Sequence, residues 1–298
     1  MPDGQRLGGF SLAAFTAATI LGGANFLAVR FSNQGLEPFW GAGIRFAMAG
    51  LLFVAIALAL RLRWPRGRQL LDTVVYGLVA FALFYALMYW ALLRVTAGMA
   101  TVVMAVVPLL TLLLAAAQGM ERLSPRALIG SLLALAGILW ITAGPGSGDL
   151  PLPSLLAMLG GAVCVGESVI LGKRLSRNHP VITNAVAMPV GTVPLLLISV
   201  IAGERWVLPE QSEAAVALAY LVTLGSVGLF VLTLLVVRHW TASASSYMFV
   251  LFPVVTMLLA AWLANEPITV RGVTGAAAVM AGVWFGALSP SSRKPLSV

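Results

Sequence analysis

Long apolar stretches, each of about 20 residues and separated by short polar breaks, recur along this 298-residue chain. A helix of about 20 apolar residues crosses the hydrocarbon core of a bilayer and satisfies its own backbone polar groups. Hydrophobic residues make up 60% of the chain and charged residues only 9%, whereas a soluble domain carries about 25% charged residues. The pattern predicts an all-α membrane protein with ten transmembrane helices. The predicted spans lie near 10–29, 38–60, 70–93, 97–118, 125–143, 153–172, 181–202, 213–236, 242–263 and 269–288.

Ten spans leave only short loops and tails, so the chain has no room for an extramembrane catalytic domain. The sequence contains one cysteine, Cys164, and no Walker A, G-x-S-x-G or H-E-x-x-H pattern. We therefore expect no enzyme activity, no metal and no cofactor, and no ATP-driven pumping by this chain alone. The net charge of +8 is attributed to membrane topology and not to nucleic-acid binding.

The distribution of basic residues over the loops predicts the orientation. If the amino terminus is cytoplasmic, thirteen Lys and Arg residues fall on the cytoplasmic side and four on the opposite side. Cytoplasmic loops of membrane proteins carry an excess of Lys and Arg. The bias predicts that both termini are cytoplasmic, in a bacterial inner membrane.

An internal repeat relates the two halves of the chain. Residues 96–143 align with 241–288 at an offset of 145 without a gap, and thirteen of the 48 positions are identical. The alignment predicts a duplicated unit of five spans, residues 1–145 and 146–298. Because five is odd, the second copy must enter the membrane from the other side, as in many secondary transporters with a midplane substrate site. The rarer matches that carry the alignment are Pro108 with Pro253, Glu121 with Glu266, Arg126 with Arg271, Gly130 with Gly275, and Gly137 with Gly282.

Several of these residues resemble a known family. The segment 22–26 (GGANF), Arg45-Phe46, and the repeated Pro, Thr, Glu, Arg, Gly, Gly pattern resemble the drug/metabolite transporter superfamily, EamA family. Among its members the chain is most similar to the YddG-type aromatic amino-acid exporters. The resemblance implies a cavity lined mainly by spans 1, 3, 4, 6, 8 and 9, with spans 5 and 10 packed together away from it. Many relatives have Trp near the middle of the sixth span, whereas this chain has Glu167 there.

Four polar residues in the spans are candidates for the substrate site. Glu167 can bind an ammonium or exchange a proton, or it can be a protonated acid in an interhelical hydrogen bond. Its neighbour Ser168 is expected to help bind the polar end of a substrate. Arg45 can attract a carboxylate or serve as a structural pin to helix-end carbonyls or to Glu37. Asn25 can bind either pole of a ligand or make an interhelical amide bond.

Aromatic residues supply the apolar part of the predicted site. In the third span, four side chains share one helix face by their i, i+3 and i+4 spacing. Such a cluster suits an aromatic guest, although ordinary packing and an interfacial aromatic belt are the alternatives. The residues proposed to line the site are Phe81, Tyr85, Met88 and Tyr89 in the third span, Phe230 in the eighth, and Ser246 and Tyr247 in the ninth.

Pro108 and Pro253 occupy equivalent positions in spans 4 and 9. Each proline deletes one helical hydrogen bond, which is tolerated where a helix lines a cavity or is packed in protein. We predict helix bends that shape the cavity, with passive kinks as the alternative.

Together these features predict a secondary transporter that exports small neutral metabolites by alternating access, foremost aromatic and other hydrophobic amino acids. Export is implied by the resemblance. One alternative is proton-coupled efflux of hydrophobic cationic drugs through Glu167, with protons as a second partner. Another is a non-transporting membrane scaffold. Because the duplication supplies both halves of a cavity, we expect a monomer in the lipid bilayer with a small-molecule substrate.

Overall fold

The computed structural model describes residues 3–120, 125–142, 152–240, 245–265 and 267–285. Within these ranges the chain is helical and contains no strand. The helices are α1 Asp3–Gly35, α2 Pro38–Ala59, α3 Arg68–Ala91, α4 Ala97–Ala117, α5 Pro125–Thr142, α6 Leu152–Arg174, α7 Pro180–Ile201, α8 Ser212–His239, α9 Met248–Leu263 and α10 Val270–Val283.

Seven of these helices, α1 to α4 and α6 to α8, are long and apolar enough to cross a membrane, and α9 is apolar but shorter, with 16 residues. The all-α membrane class predicted from the sequence is therefore confirmed. The number of ten spans and the cytoplasmic termini stay predictions. The predicted boundary between residues 145 and 146, and the paired Glu121 and Glu266, lie outside the described residues.

The helices pack in pairs that a two-repeat fold explains. α1 packs against α8 and α9, and α6 packs against α3 and α4. In a repeat of five helices, α1 corresponds to α6, α3 to α8 and α4 to α9. Replacing each helix by its counterpart turns the first set of contacts into the second. The pairs α2 with α7, α5 with α10 and α4 with α9 are unchanged by that replacement, and α3 with α7 becomes α8 with α2, which is also in contact. This is the pattern expected if two five-helix units meet about a two-fold axis.

Two π-helical segments mark the same place in both units. One occupies Leu78–Leu83 in the middle of α3 and the other Thr223–Gly228 in the middle of α8. Their bounds differ by 145, the offset found in the sequence alignment of 96–143 with 241–288. π-Helical segments are rare in proteins, and those that occur are often found at functional sites. The repeat therefore extends to α3 and α8, beyond the aligned sequence.

α5 and α10 pack closely through glycines. A Cβ atom placed on Gly282 would lie 2.6 Å from the carbonyl oxygen of Gly130, and one on Gly137 would lie 2.9 Å from a Val279 methyl. Small residues let helices approach closely in membranes, where packing drives association. The expectation that spans 5 and 10 pack against each other is confirmed.

The two prolines have different local effects. α4 is interrupted by a turn at Ala105 and Val106, and Pro108 lies in the first turn of the helix that restarts there. Proline is well tolerated at that position because the first amides of a helix lack intrahelical partners. α9 continues through Pro253, and the bends expected at the two prolines stay predictions. The corresponding turn lies earlier, at residues 246–247, before α9 begins.

Candidate functional site

A cavity of about 70 Å³ lies between α1, α3, α6, α8 and α9. Its wall is mostly apolar and aromatic, and α4 contributes no lining residue, in contrast to the expectation for span 4. Polar side chains are few in this wall. The aromatic lining residues are Phe26, Tyr76, Phe84, Tyr85, Phe230, Phe249 and Phe252, and the residues with amide or aliphatic hydroxyl groups are Asn25, Ser168 and Thr233.

The lining repeats the two-fold relation of the helices. On α3 and α8, Tyr85 corresponds to Phe230 and Met88 to Thr233 at the offset of 145. On α1 and α6 the lining residues have the same i, i+3, i+4 spacing, with a polar residue at the second place on each helix. These residues are Gly22, Asn25 and Phe26 on α1, and Val165, Ser168 and Val169 on α6.

Aromatic rings form a continuous cluster on one side of the cavity. Tyr85 packs edge-on against Phe46, with ring centres 4.5 Å apart, and against Phe84 at 4.6 Å. The predicted face of α3 divides into two parts. Tyr85 and Met88 line the cavity, whereas Phe81 and Tyr89 are fully buried behind it. Phe230 joins the lining, and Phe81 packs behind it with ring centres 4.7 Å apart.

Asn25 lies against the π-segment of α8. Its Nδ2 donates a hydrogen bond to the carbonyl oxygen of Gly225 over 3.0 Å, while its Oδ1 atom is buried without a hydrogen-bond partner. A buried acceptor without a partner costs about 1–3 kcal/mol. Gly225 must lack a side chain, because a Cβ atom there would collide with the Asn25 amide. The free oxygen on a cavity-lining side chain suits a donor group on a bound guest.

Arg45, in α2, is fully buried and directed at the same π-segment. Its NH2 group donates to the Gly225 carbonyl oxygen over 2.9 Å, and Nε donates to Ser226 Oγ over 2.9 Å. A third, longer bond of 3.4 Å runs from NH1 to the Tyr89 hydroxyl. These are the hydrogen bonds expected of a structural pin, made to Gly225 and Ser226 and not to Glu37, and they leave the positive charge of Arg45 in place.

The structure places the neighbouring residues Glu167 and Ser168 in different surroundings. Ser168 lines the cavity and donates to the carbonyl oxygen of Val165. Glu167 is absent from the lining; its Oε2 accepts a hydrogen bond of 2.7 Å from Gln118, whose amide oxygen accepts one of 2.6 Å from Arg174. Adjacent residues of a helix do not face the same way, so the two side chains cannot both point into one cavity.

Ser246 and Tyr247 also lie outside the lining, in the turn before α9, where Ser246 is buried and Tyr247 is half-buried. The next two residues, Met248 and Phe249, reach the cavity instead. Sequence reasoning missed Thr233. It could have been found by extending the 145-residue offset to α3, because that offset pairs it with Met88.

Comparisons with known proteins agree with the fold. The model of the EamA-like transporter family matches residues 9–143 and again 152–287. The chain is 29% identical over 260 residues to the uncharacterized inner membrane transporter YedA of Escherichia coli (strain K12), covering 86% of this chain and 83% of that protein. It is 28% identical to a probable terminal-alkyne amino-acid exporter of Streptantibioticus cattleyicolor, covering 83% and 85%. A solved crystal structure has the same fold, with a TM-score of 0.68 and 22% identity over 93% of this chain and 96% of that one.

Proposed function

This chain belongs to the EamA-like transporter family, and on that premise we propose that it exports small neutral metabolites, foremost aromatic and other hydrophobic amino acids. It is a multi-pass inner membrane protein of the bacterial type, a transporter whose partners are the lipid bilayer and a small-molecule substrate. The proposal concerns the substrate class and the mechanism, and it assigns no catalytic step to the chain.

The composition of the cavity wall carries the proposal. Aromatic rings from α1, α3, α8 and α9 surround the space, and the few polar groups include an amide oxygen with no partner. Ligand sites commonly combine an apolar wall with a few convergent polar groups that orient the guest. In our proposal, Tyr85 and Phe230 contact the aromatic ring of the substrate, and Asn25 and Ser168 bind its polar end.

The size of the cavity supports an alternating-access mechanism. About 70 Å³ is room for a few water molecules and not for an aromatic amino acid. The helices around it must therefore separate to admit a substrate. Rocking of one five-helix unit against the other opens such a site to each side in turn. The turn in α4 and the π-segments of α3 and α8 are the places where the helices depart from regular hydrogen bonding.

Proton-coupled efflux of cationic drugs is the second candidate, and the position of Glu167 weighs against it. A carboxylate in the wall would attract a cation and could carry a proton, yet the described residues of the lining include no Asp or Glu. Glu167 instead forms a chain of hydrogen bonds with Gln118 and Arg174. Proton coupling, the monomeric state and the scaffold alternative are separate questions that transport assays decide.

Counterflow in proteoliposomes tests the proposal. Vesicles loaded with unlabelled phenylalanine should accumulate external labelled phenylalanine, and vesicles loaded with a hydrophobic quaternary ammonium should not accumulate that compound. Glu167→Gln should leave phenylalanine counterflow unchanged across pH, because Glu167 does not contact the cavity. Accumulation of the quaternary ammonium that Glu167→Gln abolishes would establish the second candidate instead. No counterflow with any metabolite would favour the scaffold.

A further inference from the structure

Arg45 places a positive charge inside the helical bundle. The side chain is fully buried, and no ion pair to it is found among the described residues. Burying an ionised group in a membrane protein is costly, and such groups are by default functional candidates. A structural pin alone does not require a charge, because a neutral amide can also donate to a carbonyl oxygen.

The groups around Arg45 stabilise its positive charge, but none of those described here carries a negative charge. The Gly225 carbonyl and the hydroxyl of Ser226 accept its hydrogen bonds. The guanidinium carbon also lies 4.8 Å from the ring centre of Phe46 and 5.0 Å from that of Tyr85. Dipoles and aromatic faces stabilise a cation in this way, but the net charge at this position remains +1.

Only an aromatic ring separates this charge from the cavity. Tyr85 contacts the guanidinium and also lines the cavity wall. A guest atom on the far face of that ring lies about 9 Å from the guanidinium carbon, because a non-bonded contact adds about 4 Å to the 5.0 Å between ring and cation. The polar end of a guest at Asn25 is comparably close, because Asn25 Nδ2 and Arg45 NH2 donate to the same Gly225 carbonyl oxygen. At such a distance in a protein interior the charge acts strongly on a bound ion.

No other charge in the cavity wall opposes it. The described lining residues include no Asp, Glu, Lys or Arg. Glu167 is directed toward α4, where Gln118 links it to the cation of Arg174. Lys173 donates to the carbonyl oxygens of Val237 and Trp240 at the end of α8. Of these charged groups, Arg45 is the one that lies against an aromatic ring of the described lining, that of Tyr85.

We infer that Arg45 sets the charge selectivity of this transporter, favouring guests that carry a carboxylate and rejecting guests that carry only a cation. The inference rests on the proposed function for the position of the binding site. Arg45 acts through space and through Tyr85, without touching the guest. Two unit charges about 9 Å apart, at an effective dielectric constant near 20, change a binding constant about 20-fold.

Ligand pairs that differ only in charge test this inference on purified protein. Phenylalanine and phenylalaninamide share the ring and the ammonium, and 3-phenylpropionate and phenethylamine share the ring and chain length. For each pair we expect the wild type to bind the carboxylate compound at least ten-fold more tightly. Arg45→Gln should lower that ratio about 20-fold for phenylalanine and phenylalaninamide, which differ by one unit charge, and by more than that for 3-phenylpropionate and phenethylamine, which differ by two. Arg45→Lys, which keeps the charge, should retain most of the ratio.

Ser226→Ala is the matched control, because it removes one hydrogen bond of the same cluster and no charge. A purely structural role of Arg45 would weaken both members of a pair equally and leave the ratio unchanged in Arg45→Gln, which would overturn the inference. Equal binding of both members by the wild type would overturn it without any variant, even if Arg45→Gln does not fold. If the wild type ignores phenylalanine but prefers 3-phenylpropionate over phenethylamine, the proposed substrate class fails and the inference on Arg45 holds.

Discussion

The loop between α7 and α8 caps the first turn of α2 through one carboxylate. Glu204 Oε1 accepts a hydrogen bond of 3.0 Å from the backbone amide of Phe39, and Oε2 accepts one of 2.7 Å from the amide of Trp40. The residue before α2, Glu37, makes no capping bond with its own side chain. The first amides of a helix have no intrahelical partner, so Glu204 supplies acceptors that α2 itself lacks.

The expected effect of Glu204→Ala follows from these two bonds. Hydrogen bonds to charged groups contribute about 1.5–3 kcal/mol each, and a carboxylate at a helix N-terminus gains a further 0.3–1 kcal/mol, roughly. Glu204 is half-buried, so water replaces part of what is lost, and we expect a total of about 2–3 kcal/mol. For a chain of this size that corresponds to a fall in the unfolding midpoint of about 3–5 °C.

Thermal unfolding in detergent micelles measures the global effect, and hydrogen–deuterium exchange measures the local one. In Glu204→Ala the amides of Phe39 and Trp40 should exchange faster, while those in the middle of α2 stay protected. Glu210→Gln is the control, because it removes an exposed carboxylate from the same loop. Unchanged exchange at Phe39 and Trp40 in Glu204→Ala would refute the capping role, whatever the midpoint does.

Three other substitutions probe the fold and the cavity. Gly282→Leu should lower the unfolding midpoint by several degrees, because overpacking costs about 1–3 kcal/mol. Ala277→Leu, on the exposed face of the same helix, should not lower it. Equal midpoints for the two variants would contradict the close contact. Asn25→Ala should weaken phenylalanine binding about ten-fold in a direct titration, and a normal dissociation constant would remove Asn25 from the site. Phe230→Ala should weaken the same binding about ten-fold through the lost ring contact, and Phe230→Tyr should largely restore it.

The sequence predicted the helical membrane class and the repeat because both depend on local or periodic information, whereas the α5–α10 contact was implied by the family resemblance. Runs of apolar residues identify spans, and the 145-residue offset relates the halves. Glycines at Gly137 and Gly282 indicate a close helix contact wherever it falls. Of the candidate site residues, Asn25, Tyr85, Met88, Ser168 and Phe230 line one cavity, and that this cavity binds the substrate stays a prediction.

The remaining site assignments depended on helix rotation. Residues 167 and 168 differ by about 100° around α6, and the sequence does not say which of the two directions faces the cavity. The same holds for Phe81 and Tyr89, which share a face with Tyr85 but pack behind the lining. A π-segment, with its i→i+5 bonds, alters this rotation along α3 and α8, and neither segment has a signature in the sequence.

The sequence by itself thus determined that this chain is a duplicated bundle of apolar helices, because lipid admits few other structures for such a composition. Only the tertiary structure determined which polar side chains form hydrogen bonds with one another inside that bundle. Arg45 finds its partners about 180 residues away on α8, and Glu167 finds its partner 49 residues away on α4. A buried polar side chain takes whichever acceptor or donor the packing brings within about 3 Å, and that choice is made by helix contacts between the two repeats.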